Sequence, residues 1–222
     1  MKVVTIDGPA GSGKSSVAKT IAHELGWTYV TTGAIYRAVG LVFLESNSDF
    51  RKLDEAQAVV DEINRTYRQD TRTGQVFLGE REVTQLIRSP KISEMASFVA
   101  ENPLIRKLLL PLQRKVVLGA QGAVVDGRDM GTVVFPDAPL KIFLTASPEE
   151  RARRRAIELR AQGKSASFEE VVKEIHERDL RDSSRECAPM LQAEDAVLID
   201  STQLNVHEVI KQIVALCRER QL

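Results

Sequence analysis

Residues 8–15 read GPAGSGKS, and they follow a short β-branched run made of Val3, Val4 and Ile6. Beyond the loop, Val17, Ile21, Ala22 and Leu25 recur along one face at helical spacing. The pattern G-x-x-x-x-G-K-S set between a strand and a helix is that of a P-loop. A glycine turn alone would account for the glycines; the strand before and the helix after favour a phosphate cradle. Gly8, Gly11 and Gly13 let successive backbone N–H groups turn inward around an anion, and the helix that starts near Lys14 adds its positive end. Pro9, Ala10, Ser12 and Ser16 complete the nucleotide-binding stretch. Lys14 is placed to reach the β- and γ-phosphates, and the Ser15 hydroxyl to bind Mg²⁺.

A P-loop needs a parallel sheet, and the rest of the chain supplies one. Apolar β-rich runs recur at residues 3–6, 29–30, 123–125, 140–144 and 196–199, separated by helical patterns. Strands alternating with helices predict an α/β fold with a five-stranded parallel sheet covered on both faces. Between the second and third runs lies a long excursion. It holds helical patterns at 53–63, 91–99 and 103–118, with Pro103 suited to a first helical turn. Residues 67–84, YRQDTRTGQVFLGEREVT, carry a Thr-Gly turn and alternating Val76 and Leu78, which predicts a small antiparallel hairpin outside the main sheet.

The 31 basic and 31 acidic side chains balance, so nothing overall argues for a nucleic-acid polymer or an anionic membrane as partner. Cys187 and Cys217 form no C-x-x-C, and His23, His176 and His207 lie far from both in sequence, so neither a disulfide framework nor a zinc site is indicated. The opening apolar run is too short for a signal peptide and no stretch approaches a membrane span, which makes the cytoplasm the expected compartment.

Charge is concentrated locally instead. Asp126 ends the third strand, where a P-loop protein can hold Mg²⁺ through its water shell opposite Ser15. Arg128 and Asp129 follow at the carboxyl end of that strand, the edge at which open α/β sheets bind ligands. In ERDLRDSSREC, Arg178, Arg181, Asp182 and Arg185 fall at i, i+3, i+4 and i+7, one face of a helix. In SPEERARRRAIELR, Ser147 and Glu150 predict a capping box. Arg151, Arg153, Arg154, Arg155 and Arg160 then crowd into three turns, a composition suited to a phosphate clamp or to a solvated surface helix.

TIDGPAGSGKS, TGAIYR (32–37), DGRDMGTVVFPDAPLKIFLTAS (126–147) and ERDLRD (177–182) together resemble bacterial cytidylate kinase, of the nucleoside monophosphate kinase group, from about Val3 to the last strand. The resemblance implies a Mg²⁺-dependent transfer of the γ-phosphoryl group of ATP to CMP or dCMP, in pyrimidine nucleotide metabolism, by a monomer. It implies one P-loop kinase unit with a core of residues 1–35, 118–148 and 190–222, a CMP-binding insertion at about 36–117, and an Arg-rich lid with substrate-binding helices at about 149–189. Thr32, Arg37, Arg128 and Arg185 would surround the CMP phosphate, with Tyr36 in the same motif; Ser97, Arg106 and Asp129 the cytosine; Arg178 and Asp182 the ribose. Lys14, Arg128, Arg153 and Arg154 would be catalytic, and Ser15 with Asp126 would serve the metal.

Cytosine chemistry agrees: the base offers an exocyclic amine beside acceptors at N3 and O2, so a carboxylate and an Arg suit it. One position departs from the family's pattern. Members commonly carry an acid before the TGAIYR-like motif, and this chain has Thr31, which leaves Asp126 as the carboxylate expected near the metal. A P-loop switch and a different small-molecule kinase, such as one acting on shikimate or dephospho-coenzyme A, share the cradle. The absence of an N-K-x-D tetrad speaks against the first, and the set Arg106, Asp129, Arg178 and Asp182 against both.

Overall fold

The computed structural model describes residues 2–70, 73–161, 163 and 166–222. The chain opens β1 (Lys2–Asp7), α1 (Lys14–Leu25), β2 (Thr28–Thr31) and α2 (Thr32–Ser46). An inserted region then forms α3 (Leu53–Thr66), β3 (Tyr67–Gln69), β4 (Val76–Leu78), β5 (Arg81–Glu82), α4 (Pro90–Val99) and α5 (Pro103–Lys115). The chain returns through β6 (Gly122–Asp126), a π-helical turn (Met130–Val134), β7 (Leu140–Thr145), α6 (Pro148–Ala161), α7 (Phe168–Ser184), β8 (Val197–Asp200) and α8 (Val206–Glu219).

Five strands form one parallel sheet in the order β2-β6-β1-β7-β8. The central strands are apolar on both faces because both faces are covered. Val4, Ile6, Leu140, Ile142 and Leu144 pack with Val17 and Ile21 of α1 and Ile213 of α8. On the opposite face Val3, Val30, Val125 and Met130 pack with Val117. Ile6 aligns with Asp126 and Thr31 with Asp126 across the parallel ladders, so β1, β2 and β6 end level with one another. Everything that follows those three ends projects from one edge.

The insertion has its own core, in which Ile35 and Phe43 of α2 meet Val60, Ile63, Val76, Ile105 and Leu109. Helices α2 and α4 approach closely at Gly40, where a Cβ would come within 3.2 Å of the Ala96 backbone nitrogen. The expected hairpin at 67–84 is a three-stranded antiparallel sheet, β3-β4-β5. Gly79, with φ +59°, turns the chain after β4, and the Val83 N–H returns to the Val76 carbonyl at 2.8 Å, which adds the third strand. Thr71 and Arg72 of that hairpin lie outside the described residues. The helix expected over 103–118 ends at Lys115, and Gly119 at φ +82° leads the chain toward β6. The capping box expected at α6 is half formed. The Glu150 N–H donates to Ser147 Oγ at 3.2 Å, but the Glu150 carboxylate is held by Arg153 and Arg154, and the Ser147 N–H donates to Thr202 Oγ1.

Leu109 is fully buried on the face of α5 that packs in the insertion core. Leu109→Ala is expected to lower unfolding free energy by about 2–5 kcal/mol, the usual range for a buried Leu truncation, measured by urea denaturation.

Candidate active site

The cradle's shape is imposed by its neighbours. At Gly8, with φ +142°, a Cβ would sit 2.0 Å from the Leu144 carbonyl oxygen of β7. At Gly11, with φ +74°, it would sit 2.8 Å from the Arg151 carbonyl oxygen of α6. Neither position admits a side chain. Gly13 caps α1 in the left-handed conformation without a side-chain hydrogen bond, so the first-turn N–H groups of α1 face the loop's interior. Lys14 is buried and its Nζ donates to the Pro9 carbonyl at 2.6 Å and to Ser12 Oγ at 3.2 Å. Burial, with Arg128 nearby, pulls the Lys14 pKa well below its ordinary range, so an anion in the loop would restore the charge. Ala10 is gripped from outside: its N–H donates to Asp179 Oδ1 at 2.9 Å, its carbonyl accepts from Arg151 Nη1 at 3.0 Å, and Arg151 and Asp179 pair with each other.

At the floor, Ser15 Oγ donates to Asp126 Oδ2 at 2.8 Å and the Tyr29 hydroxyl donates to Oδ1 at 3.0 Å. Thr32 Oγ1 donates to the Asp126 backbone carbonyl at 3.2 Å. Burial and then Asp126 push the Tyr29 pKa up, which keeps the phenol protonated as a donor. A hydroxyl beside a carboxylate at the mouth of a phosphate loop is a donor set that suits a hard divalent cation, so the residues present fit Mg²⁺. Thr31 stands in register beside Asp126 and brings no carboxylate to this corner.

From the floor the cleft widens into a cluster of guanidinium groups. Arg128 Nε donates to Asp182 Oδ2 at 2.9 Å, Arg185 Nη1 lies 3.5 Å from Oδ1, and Arg178 Nε lies 4.0 Å from Oδ2. Burial works against ionisation of Asp182, but these arginines together hold its pKa below the usual carboxylate range. One carboxylate does not balance the cluster. The Nε atoms of Arg37 and Arg178 are buried without a hydrogen-bond partner. Burial, reinforced by Arg128, pulls the Arg178 pKa down to about 9, and burial lowers that of Arg37. Unpartnered donors beside an excess of positive charge are what a phosphate group satisfies.

At the far end, Arg106 Nη2 donates to Asp129 Oδ2 at 2.5 Å and Arg185 Nη2 lies 3.5 Å from Oδ1. The Arg106 guanidinium lies over the Tyr36 ring at 5.3 Å, and Gln113 Nε2 donates to the Tyr36 hydroxyl at 3.4 Å. Arg106 Nη1 also donates to the Ala100 carbonyl at 3.2 Å.

One cleft is walled by every residue expected to bind substrate: Thr32, Tyr36, Arg37, Ser97, Arg106, Arg128, Asp129, Arg178, Asp182 and Arg185. Arg178 and Asp182 lie on α7, and Arg185 just beyond its end in extended conformation. Ser97 reaches the wall, but its hydroxyl accepts from Arg181 Nε at 3.2 Å, a residue that also stacks on Phe98. The two arginines expected to be catalytic in α6 are not brought into the cleft. Arg153, with its side chain 61% exposed, forks onto Glu150, and Arg154 donates to the Ser12 carbonyl and to Ser201 behind the loop. The physical reason is helical phase: Arg155, one position on, faces the cleft, close to Glu158 and Glu174. Sequence reasoning also passed over Asp7 and Asp179, and it named Arg181 on the charged helix face without giving it a part in the site. Asp7, alone of these, had a readable signal, as a carboxylate at the end of an otherwise apolar buried strand.

A parallel sheet that opens on such a cradle, with a lysine, a serine–aspartate pair and a guanidinium cluster at its edge, defines a P-loop phosphotransferase. Residues 4–219 match the cytidylate kinase family. The chain is 46% identical over 214 residues to the cytidylate kinase of Carboxydothermus hydrogenoformans, covering 96% of each chain. It is 44% identical to that of Acholeplasma laidlawii, covering 96% of this chain and 93% of the relative, and 43% identical to that of Bacillus cytotoxicus, covering 97% and 96%. The chain belongs to the cytidylate kinase family.

Asp7 provides a pH test. Burial raises its pKa from the ordinary carboxylate range to about 7. A raised native pKa favours the protonated form, so the contribution of Asp7 to stability is full below about pH 4 and is lost as pH rises through about 7. Relative to Asp7→Asn, which does not titrate, the wild-type protein is expected to lose on the order of 4 kcal/mol between about pH 4 and about pH 7, read from urea unfolding of both.

Proposed function

We infer that the protein transfers the γ-phosphoryl group of ATP to CMP, releasing CDP and ADP. The observation that carries this reading is the Arg106–Asp129 pair at the end of a cleft that begins at the phosphate cradle. Asp129 accepts from the cytosine amine and Arg106 donates to the ring acceptors, while uracil would turn a carbonyl toward the carboxylate. dCMP carries the same phosphate and base as CMP, so this reading takes it as an acceptor as well.

In this reading the backbone of 8–16, Lys14 and the α1 N-terminus bind the ATP phosphates. Ser15 and Asp126 would hold Mg²⁺, which when bound would neutralise charge on the phosphoryl oxygens. Arg37, Arg128 and Arg185, joined by Arg178 that was expected beside the ribose, orient the CMP phosphate in line with the donor, and Asp182, shared by Arg128, Arg178 and Arg185, steers the ribose. The acceptor phosphate is already an anion, so positioning and charge neutralisation account for most of the catalysis and no strong general base is needed. Arg155 is the lid arginine that faces the transferred group, and closure of α6 and α7 over the cleft excludes water that would otherwise accept the phosphoryl group. A single chain supplies every group, so a monomer suffices. The two cysteines are free and, among the described residues, no helix is long and apolar enough to cross a membrane.

A coupled ADP-release assay over CMP, dCMP, UMP, AMP, shikimate and dephospho-coenzyme A tests the reading directly. CMP and dCMP are expected to lead. Asp129→Asn is expected to narrow the preference for CMP over UMP by about 1–3 kcal/mol in kcat/KM, the usual worth of one base-edge contact. A wild-type protein that prefers another acceptor would overturn the assignment.

The two lid arginines separate by phase. Arg155→Ala is expected to lower kcat by about a hundredfold or more, as for loss of one charge-stabilising donor, while Arg153→Ala stays within about twofold of wild type. Steady-state kinetics of both variants at saturating ATP distinguish them.

A further inference from the structure

Asp7 ends β1 and has no part in the steps above. Its side chain is buried, and both oxygens are used: the Met130 N–H donates to Oδ1 at 2.8 Å and the Gly131 N–H to Oδ2 at 2.7 Å. These are the first two N–H groups of the π-helical turn, the ones a helix leaves free, and the residue immediately before them is Asp129. Asp129 itself offers that turn no side-chain cap, so its carboxylate stays directed at Arg106. The turn is also pressed into place. A Cβ on Gly131 would lie 3.1 Å from Thr5 Oγ1, 3.2 Å from Lys141 Cδ and 3.4 Å from Asp7 Oδ2.

We propose that Asp7 is a positioning residue for base selection, which by holding the Met130 and Gly131 amides fixes the direction in which Asp129 presents its carboxylate to the nucleobase. The proposal rests on the CMP reading above. Two adjacent donors need two acceptor oxygens, so the ionised carboxylate fits and an amide does not: Asn has one acceptor, and its NH₂ would face an N–H. Keeping that charge buried is unfavourable for the fold. Burial and the neighbouring Asp129 oppose ionisation, while the two amides and Lys14 of α1 favour it; Lys141 of β7 is engaged by Asp195 at 2.9 Å. A charge that weakens the folded state at the foot of the specificity loop is explained by what it orders there.

The test is steady-state kinetics of Asp7→Asn, Asp129→Asn and the double variant with CMP, UMP and ATP at about pH 8. Asp7→Asn is expected to raise KM for CMP about tenfold with kcat within about threefold, to leave KM for ATP unchanged, and to narrow the CMP:UMP ratio of kcat/KM about tenfold. In the Asp129→Asn background the same change is expected to narrow that ratio no further, because both act through one carboxylate. An unchanged ratio with CMP and UMP equally weakened would make Asp7 a cap of the turn and nothing more, and a KM for ATP that rises as much as that for CMP would assign it to the cradle. Either overturns the proposal.

Should Asp7→Asn not yield folded protein, the wild-type ratio between about pH 6 and about pH 8 reads the same contact, since ionisation of the monophosphate is common to CMP and UMP and cancels. The ratio is expected to narrow as pH falls through about 7; a flat ratio overturns the role of Asp7. A wild-type protein with no preference between CMP and UMP would instead sink the base reading on which the proposal stands.

Discussion

The parallel alignment of β1 with β6 is the constraint on which the rest of the molecule depends. Ile6 opposite Asp126 means that the strand leading into the P-loop and the strand leading into DGRDMG stop at the same height. The Gly127 N–H even continues the ladder by donating to the Ile6 carbonyl at 3.1 Å. A slip of one residue would move Asp126 away from Ser15 and send the Arg128–Asp129 turn to a different level, because each residue of a parallel strand advances about 3.3 Å and reverses its side chain. Burial on both faces prevents the slip. The P-loop, the Ser15–Asp126 corner and the Arg128–Asp129 turn are thus set relative to one another by the same apolar packing that makes the core.

Within that frame the site is an unbalanced set of charges. Arg128, Arg178 and Arg185 share Asp182, and Arg37 adds a fourth guanidinium whose Nε has no partner. A buried network is stabilising when its members are satisfied and unfavourable when they are not. The free protein therefore carries several groups that a phosphate anion would complete: the open amides of α1, Lys14 with its depressed pKa, and two orphaned Nε atoms. Ligand binding repairs these deficits, so it raises the stability of the native state by mass action and draws in the groups that must surround the transferring charge.

Much of this architecture is legible in the amino-acid sequence, and the reasons are local ones. The five strand runs can be read because a doubly covered strand must be apolar along its length, and GPAGSGKS because each glycine answers a backbone requirement that no other residue meets. The third strand of the small sheet is not legible: Arg81 and Glu82 are exposed and polar, and only the Gly79 turn hints that they pair. Nor is the phase of α6. Five arginines in ten residues point to several sides of a helix, so composition cannot say which one faces the cleft; that depends on Arg151 being held under Ala10 by Asp179. The placement of Ser97 depends in the same way on a partner, Arg181, that arrives from 84 residues away.

The grip of Arg151 and Asp179 on Ala10 ties α6 and α7 to the cradle. Arg151 lies in the first turns of α6 and Asp179 well along α7, so the two helices meet at the outer wall of the P-loop. Their shared attachment is a main-chain unit of the cradle itself. The same α6 backbone, at Arg151, is what excludes a side chain from Gly11. Arg151 is buried and Asp179 half-buried, so breaking this pair would leave the guanidinium without its carboxylate partner. One turn further along α6, Arg155 lines the cleft, while Arg153 is taken up by Glu150 and Arg154 by Ser12 and Ser201. Arg154 and Arg155, three and four positions beyond Arg151, both lie on the side of the helix that Arg151 anchors; Arg154 is taken up by Ser12 and Ser201, and Arg155 is the one left toward the cleft.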